Sequence, residues 1–350
     1  MTAINSLSQV NYIRNLINSQ HDKLNELTRQ SASGYKSERF SGLTINDSRV
    51  SIATRTEMLR AEAYKSTITA VTPRIQQAAT TLDSIEGSLV EIRDTLLELN
   101  FEDGNVDGAQ IRVAAEARFR QLVDRLNTKV DGVQIFAGRA GGTTGVGADY
   151  PIRNADTLIA NFQAALGGPF ANTAALNTAV DGFFGTTGAA LTNWFLPGAV
   201  NGQTADPIKI ADGQTIETGL TALPDASEPN GTTAFRDALA SLAAIMTVEP
   251  ADFSTGGEYN RFLVDQITKL NGAIEGVNTV VAKVGEIGEV LTEQKTMYAD
   301  NDVNLKKALA SAEEVDHVQV LSDLEARTTQ LEATYKVTSQ TRGLNLFNFI

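Results

Sequence analysis

The chain has 350 residues, of which 42% are hydrophobic but only 6% aromatic, and its formal net charge is −13. This acidic balance argues against a nucleic-acid partner, because phosphate binding requires clustered Lys and Arg. The sequence contains no cysteine, which excludes disulfides and thiol catalysis, and no apolar stretch near the roughly 20 residues of a membrane-spanning helix, so we expect no membrane partner.

The N-terminal region predicts an amphipathic helix. Gln20 is the single polar break on its heptad seam, and Gly34 suits the left-handed conformation that ends many helices. Residues 33–47 hold two glycines and several hydroxyl side chains, which predict a structured loop. Residues 1–19 contain no secretory apolar block. We therefore expect either a cytoplasmic protein or one that is exported without a cleaved signal peptide.

A long heptad run follows this loop. Its apolar residues step alternately three and four positions, an average of about 3.5 that is typical of left-handed coiled coils. The run consists of Ile68, Val71, Ile75, Ala78, Leu82, Ile85, Leu89, Ile92, Leu96 and Leu99. Pro73 falls at an outward position within the run, where we expect a kink or the start of a new helix.

The amino-acid composition changes in the middle of the chain. After a turn at 100–108, another helix is predicted to carry Ile111, Ala115, Phe119, Leu122, Leu126, Val133 and Phe136. From Gly138 to Thr233 the sequence holds most of the chain's eight prolines and few charges. Residues 207–211 predict a β-strand and residues 157–166 a short helix, so we predict an inserted, mixed α/β, turn-rich module.

Helical periodicity resumes at Phe235–Met246 and continues through a second heptad run into a last helix at 318–335. The second run consists of Leu263, Ile267, Leu270, Ile274, Val277, Val281, Val284, Leu291, Tyr298, Leu305 and Leu309. We predict a mainly α fold, with long antiparallel helical rods of coiled-coil type formed by the N- and C-terminal regions. The predicted domains are a terminal helical assembly domain (1–45 with 318–350), a long-helix rod domain (46–137 with 255–317) and the variable insert (138–254).

The two chain ends are predicted to make subunit contacts. A terminal helix with an apolar stripe and no large core nearby must bury that stripe against another surface. The ends can pair with each other, and both keep further apolar residues that suit contacts between subunits. The predicted contact residues are Leu7, Val10, Ile13, Ile17, Leu24, Leu27, Leu321, Leu324, Leu331, Tyr335, Leu344, Leu346, Phe347, Phe349 and Ile350.

Both ends of the chain resemble the flagellin superfamily, over roughly 1–137 and 235–350. The stretches that carry the resemblance are Ile4-Asn-Ser-Leu-Ser-Gln-Val-Asn11, Ser31-Ala-Ser-Gly-Tyr-Lys36, Ile85 to Asn100 and Tyr335 to Ile350. Two further features are more similar to the hook–filament junction family of that superfamily than to filament flagellins. These are Asp131-Gly-Val-Gln-Ile-Phe-Ala-Gly138 and the ending Leu344-Asn-Leu-Phe-Asn-Phe-Ile350.

The resemblance implies a structural subunit of the bacterial flagellum that lies outside the cell. It further implies export through the flagellar type III apparatus, an export chaperone on the C-terminal helix, and assembly with copies of itself and with other hook and filament proteins. The junction family is the first hypothesis for function. A filament flagellin remains open, as does a soluble coiled-coil interaction or adaptor protein from a different class.

One turn has part of a metal-binding pattern. Asp103-Gly-Asn105-Val-Asp107-Gly108 begins like a calcium loop, with oxygen ligands at alternate positions. The twelfth position, which requires a bidentate Glu, is Ala114. We therefore interpret the motif as a polar helix–helix turn and expect no metal site.

No other residues predict catalysis. Ser and Thr are abundant, but neither His21 nor His317 is placed to suggest a hydrolase triad. The acidic residues Glu313, Glu314 and Asp316 beside His317 are expected to form a solvated helix face. Arg93 is expected to be a solvated or salt-bridged residue on the first rod. We therefore expect no enzyme activity and no cofactor.

Overall fold

The computed structural model describes residues 2–99, 108–138, 151–186, 188–196, 207–222 and 233–347, and their side chains except those of 2–10, 256 and 341–347. Helices dominate these residues, as predicted. They are α1 (Thr2–Ser33), α2 (Ile45–Leu97), α3 (Ala109–Leu126), α4 (Ala155–Ala165), α5 (Thr173–Phe183), α6 (Gly188–Trp194), α7 (Ala234–Thr247), α8 (Gly256–Glu313) and α9 (His317–Phe347). No described helix combines the length and apolar character needed to cross a membrane.

The described residues also form two short antiparallel hairpins. β1 (Lys129–Val130) pairs with β2 (Val133–Gln134), and β3 (Pro207–Ala211) pairs with β4 (Gln214–Glu217), which confirms the predicted strand at 207–211. Asp131 and Gly132 between β1 and β2 have φ angles of 51° and 79°. Asp-Gly is a preferred sequence for a two-residue hairpin turn of this kind. The helix predicted to reach Val133 and Phe136 is therefore wrong beyond Leu126.

The chain divides into two compact units, and each combines segments from both halves of the sequence. Unit 1 consists of Met1–Ala63 and Met297–Ile350, and unit 2 consists of Tyr64–Thr296. Both α2 and α8 contribute residues to each unit. The three domains proposed from the sequence stay a prediction.

In unit 2, the heptad residues of α2 and α8 form a buried seam. Ile68, Leu82 and Leu96 on α2 have no exposed surface, and neither do Leu263 and Leu270 on α8. Full burial of one such side chain contributes about 1.5–3 kcal/mol. The two heptad runs were therefore correctly interpreted as core-forming helices that pack together.

Pro73 lies inside α2, and its ring is exposed. The helix continues without interruption from Ile45 to Leu97. The alternative of a new helix start at this residue is therefore wrong. The exposed position explains the tolerance, since the buried seam of the helix is not disturbed.

The insert has an aromatic core of its own within unit 2. Ring pairs join Phe162, Phe183 and Phe184, whose centroids lie 5.0 to 5.5 Å apart. Trp194, the only tryptophan of the chain, is fully buried next to Phe184. The short helices of the insert thus pack around a centre of aromatic rings.

Candidate subunit-contact surface

The two chain ends pack against each other in unit 1, through α1 and α9. Leu27 of α1 and Leu331 of α9 are buried, at 5% and 8% exposure. The two helices also make a polar contact, a hydrogen bond of 2.6 Å between His21 Nε2 and Tyr335 Oη. The predicted polar break, Gln20, is buried at 8% exposure and accepts a long hydrogen bond from Arg327.

The structure separates the predicted contact residues into three groups. Leu27 and Leu331 are buried within the chain; the half-buried residues are Ile13, Ile17, Leu24 and Leu324; and Leu321 and Tyr335 are exposed. The side chains outside the described residues are those of Leu7, Val10, Leu344, Leu346, Phe347, Phe349 and Ile350. The proposal that these residues contact neighbouring subunits stays a prediction, and only the exposed or half-buried ones have surface to offer.

A short β-bridge ties the end of α1 to the α8–α9 connection. Gly34, with φ of 77°, ends α1 as predicted. The Lys36 amide donates to the Glu313 carbonyl at 2.7 Å, and the Val315 amide donates to the Gly34 carbonyl at 3.0 Å. Any Cβ at Gly34 would be strained by the positive φ and would lie 3.4 Å from the His317 ring.

Below this bridge, Glu313 is a buried carboxylate rather than part of the predicted solvated face. It is 8% exposed and accepts hydrogen bonds from Arg55 Nε at 2.9 Å and Arg55 Nη2 at 2.6 Å, and from the Ser51 hydroxyl. These bonds, above all those from Arg55, hold the pKa of Glu313 below its ordinary value. Asp316 is exposed and caps α9 by accepting from the Val318 amide at 2.9 Å.

The same contacts fix the direction of the long helices in unit 1. Arg55 of α2 meets Glu313 near the end of α8. Further along α2, Glu62 lies close enough to Lys306 that its charge adds to the larger effect of Asp302 in raising the pKa of that lysine. Successive contacts therefore pair higher residue numbers on α2 with lower residue numbers on α8. The two helices run antiparallel in unit 1, as predicted.

A cleft of about 200 Å³ opens beside this junction. It is lined by Tyr35, Ser37, Glu38, Arg39, Phe40, Leu43, Arg55 and Glu313. Tyr35 and Phe40 are about half exposed. The cleft thus places two aromatic rings beside the Arg55–Glu313 ion pair, a combination that is common in protein contacts.

Sites with other chemistry find little support in the described part of the chain. No group of three His, Asp or Glu side chains there is arranged to hold a metal ion. Residues 103–107 of the calcium-like motif lie outside the described residues. Arg93 forms an ion pair with Asp94 at 2.6 Å, in keeping with the expected salt-bridged role.

Comparison with solved structures identifies the architecture. A protein from Vibrio parahaemolyticus, assigned as a flagellar hook-associated protein, aligns with 75% of this chain and 96% of its own, with a TM-score of 0.50 and 14% sequence identity. The chain shares the fold of that protein. FlgL of Bacillus cereus aligns with 73% of this chain and 97% of its own, with a TM-score of 0.47 and 16% identity. No protein-family profile matches the sequence, and no curated protein matches it significantly.

The sequence interpretation missed one exposed feature of unit 1. At the start of α2, the buried residues are Ser51, Thr54 and Ala61, whereas Ile45, Ile52 and Leu59 are exposed. Hydrophobic periodicity assigns the apolar face to the core, so it predicts the wrong orientation for this segment.

Proposed function

We propose that this chain is a structural subunit of the bacterial flagellum, and specifically the junction protein (hook-associated protein 3) that joins the hook to the filament. The observation that carries the proposal is the pairing of the two chain ends, α1 with α9, beside two long antiparallel helices. The likeness in fold to the Vibrio hook-associated protein, which aligns with 75% of this chain and 96% of its own, supports the proposal. The junction-like stretch at 131–138 and the chain ending add support from the sequence.

The proposed mechanism is assembly. Helices α1 and α9 contact each other along one face, and large apolar side chains elsewhere on them remain exposed. Tyr12 is 69% exposed and Val337 is 62% exposed. Burial of such side chains by neighbouring copies would stabilise the terminal helices, and the entropy cost of ordering them would be offset at that step.

The proposed partners follow from this role. They are copies of the chain itself in an extracellular ring, the hook and filament proteins on either side, and an export chaperone that covers the C-terminal helix before assembly. Export would proceed through the flagellar type III apparatus without a cleaved signal peptide.

A truncation tests the assembly step. Removal of Asn345–Ile350 is expected to leave unit 2 folded, with the Trp194 fluorescence of the full chain, and to abolish incorporation and swimming. A matched control replaces Ser339 with Ala, which changes an exposed residue of α9 without shortening the chain. Normal motility of the truncated strain would contradict the proposal.

Localisation separates the junction role from a filament flagellin. A junction protein is expected at the distal end of the hook only, whereas a filament flagellin would label the whole filament. A protein found only in the cytoplasm, with protease-resistant chain ends, would indicate an adaptor protein instead.

A further inference from the structure

In the first turns of α2, large apolar side chains are exposed and small polar side chains are buried. Ile45, Ile52 and Leu59, which we name the α2 stripe, are 92%, 53% and 74% exposed. The opposite face of the same segment is buried, although its residues include Ser51 at 0% and Thr54 at 7% exposure. Large apolar side chains therefore face solvent on one side of this segment, while hydroxyl side chains are buried on the other. This arrangement is unfavourable in an isolated chain. It is characteristic of a surface that another element covers.

The spacing of the α2 stripe indicates the shape of what covers it. Its three residues are seven positions apart, so they lie on one line along the helix and span about 21 Å. Such a line matches the side of a second helix better than a strand or a small molecule. Arg49 and Arg60 fall beside the stripe at about 100° per residue. Arg60 also lies 3.6 Å from Glu57 of the same helix, and the two arginines together present positive charge to the covering helix.

An acidic helix face on the same chain has the complementary character. Val318 and Leu321 of α9 are 79% and 55% exposed. Glu325 and Glu332 are also exposed and fall on the same side of α9, because the four positions are spaced by three, four and seven residues. We name Val318, Leu321, Glu325 and Glu332 the α9 face. It offers apolar contact at one end and negative charge along the rest.

We propose that the α2 stripe of one copy docks against the α9 face of a second copy of this chain. The stripe packs along the length of the α9 face, so that Val318 and Leu321 cover one end of the stripe and the arginines beside the stripe approach the carboxylates of Glu325 and Glu332. This inference rests on the self-assembly in the proposed function, and it identifies the surfaces involved.

The proposed contact is heterologous, because the two surfaces are different parts of the chain. Heterologous contacts generate rings or open helical arrays rather than closed two-fold dimers. Each copy would present one free α2 stripe and one free α9 face, so the same contact can repeat around a ring. Attraction between the arginines of the stripe copy and the carboxylates of the α9 face sets the relative direction of the two helices. This attraction weakens as the salt concentration rises.

Disulfide trapping tests the contact directly, since the native chain has no cysteine. One purified copy carries Leu59→Cys, and a second copy of different mass carries cysteine at one position of the α9 face, each of the four being tried in turn. Oxidation of the mixture is expected to give a mixed dimer with at least one of the four. Control pairs use Ala53→Cys and Ala333→Cys, which are exposed but lie off the two surfaces.

A charge exchange provides the second measurement. Arg49→Glu with Arg60→Glu in the stripe copy is expected to reduce the mixed-dimer yield about tenfold at low salt. Glu325→Arg with Glu332→Arg in the second copy is expected to restore it. All four residues are exposed, so the variants are expected to keep the helical circular dichroism of the parent chain.

The outcomes separate this inference from the proposed function. Trapped dimers above the control yield, from a protein that is absent from flagella, would support the contact and reject the flagellar role. Yields no higher than the controls, both in solution and in isolated flagella, would overturn the contact even if the protein is found there. Trapping of a different protein at Leu59→Cys, without a mixed dimer, would overturn it as well.

Discussion

The buried carboxylate Glu313 gives a quantitative test of the unit 1 junction. Glu313→Gln keeps the size of the side chain and removes the charge that pairs with Arg55. Loss of one partner in a buried ion pair costs about 3–5 kcal/mol, but the Arg55 side chain is 50% exposed and can rehydrate. We therefore expect a loss of about 2 kcal/mol in the local free energy of opening.

Amide hydrogen exchange measures this loss where it occurs. A change of about 2 kcal/mol corresponds to exchange about 30-fold faster in peptides that cover Lys36 and Val315, whose amides form the β-bridge beside Glu313. The matched control is Glu314→Gln, because Glu314 is the exposed neighbour. Equal exchange rates in the two variants, or less than a threefold change in Glu313→Gln, would refute the assigned role.

The pH dependence of the same group has a defined sign. The hydrogen bonds from Arg55 lower the pKa of Glu313 in the folded protein. The resulting stabilisation is fully present above the unfolded-state pKa of about 4.3 and is lost as the pH falls through the lower folded-state value. The difference between the parent chain and Glu313→Gln should therefore shrink below about pH 4. A difference that grows on acidification would contradict this linkage.

Three further substitutions test unit 2 through the fluorescence of its single tryptophan, Trp194, during urea unfolding. Phe119→Ala removes a fully buried ring and should cost about 3–5 kcal/mol; a loss below about 1 kcal/mol would mean that the α3 core is wrongly assigned. Gly132→Ala meets open space but keeps φ of 79° and should cost about 1–2 kcal/mol from backbone strain alone. Gly87→Ala, in an open position inside α2, should instead stabilise by about 0.5–1 kcal/mol, and a change of the same sign in both glycine variants would contradict the hairpin turn.

Heptad periodicity predicted the long helices well because their apolar seams are buried within the chain itself. Ile68, Leu82 and Leu270 repeat at the spacing of a packed helix pair, and all three are fully buried. The pattern gave the wrong orientation at the start of α2. On α2 before Ala63, apolar side chains face solvent, and single-sequence periodicity cannot distinguish an internal core from a surface reserved for another molecule.

Local turn chemistry and long-range pairing account for the other differences. The continuation of α3 to Phe136 was predicted from apolar spacing, although Asp131-Gly132 carries a hairpin signal that outweighs it. Glu313 was assigned to a solvated face because its partners, Ser51 and Arg55, are more than 250 positions away in sequence. No local pattern predicts such a pairing.

The most direct test of the proposed function is labelling of isolated hook–basal bodies and attached filaments with an antibody against this chain, viewed by electron microscopy. The expected result is a band of label confined to the distal end of the hook. Label along the full filament, or none on the flagellum while the protein accumulates in the cytoplasm, would contradict the junction role.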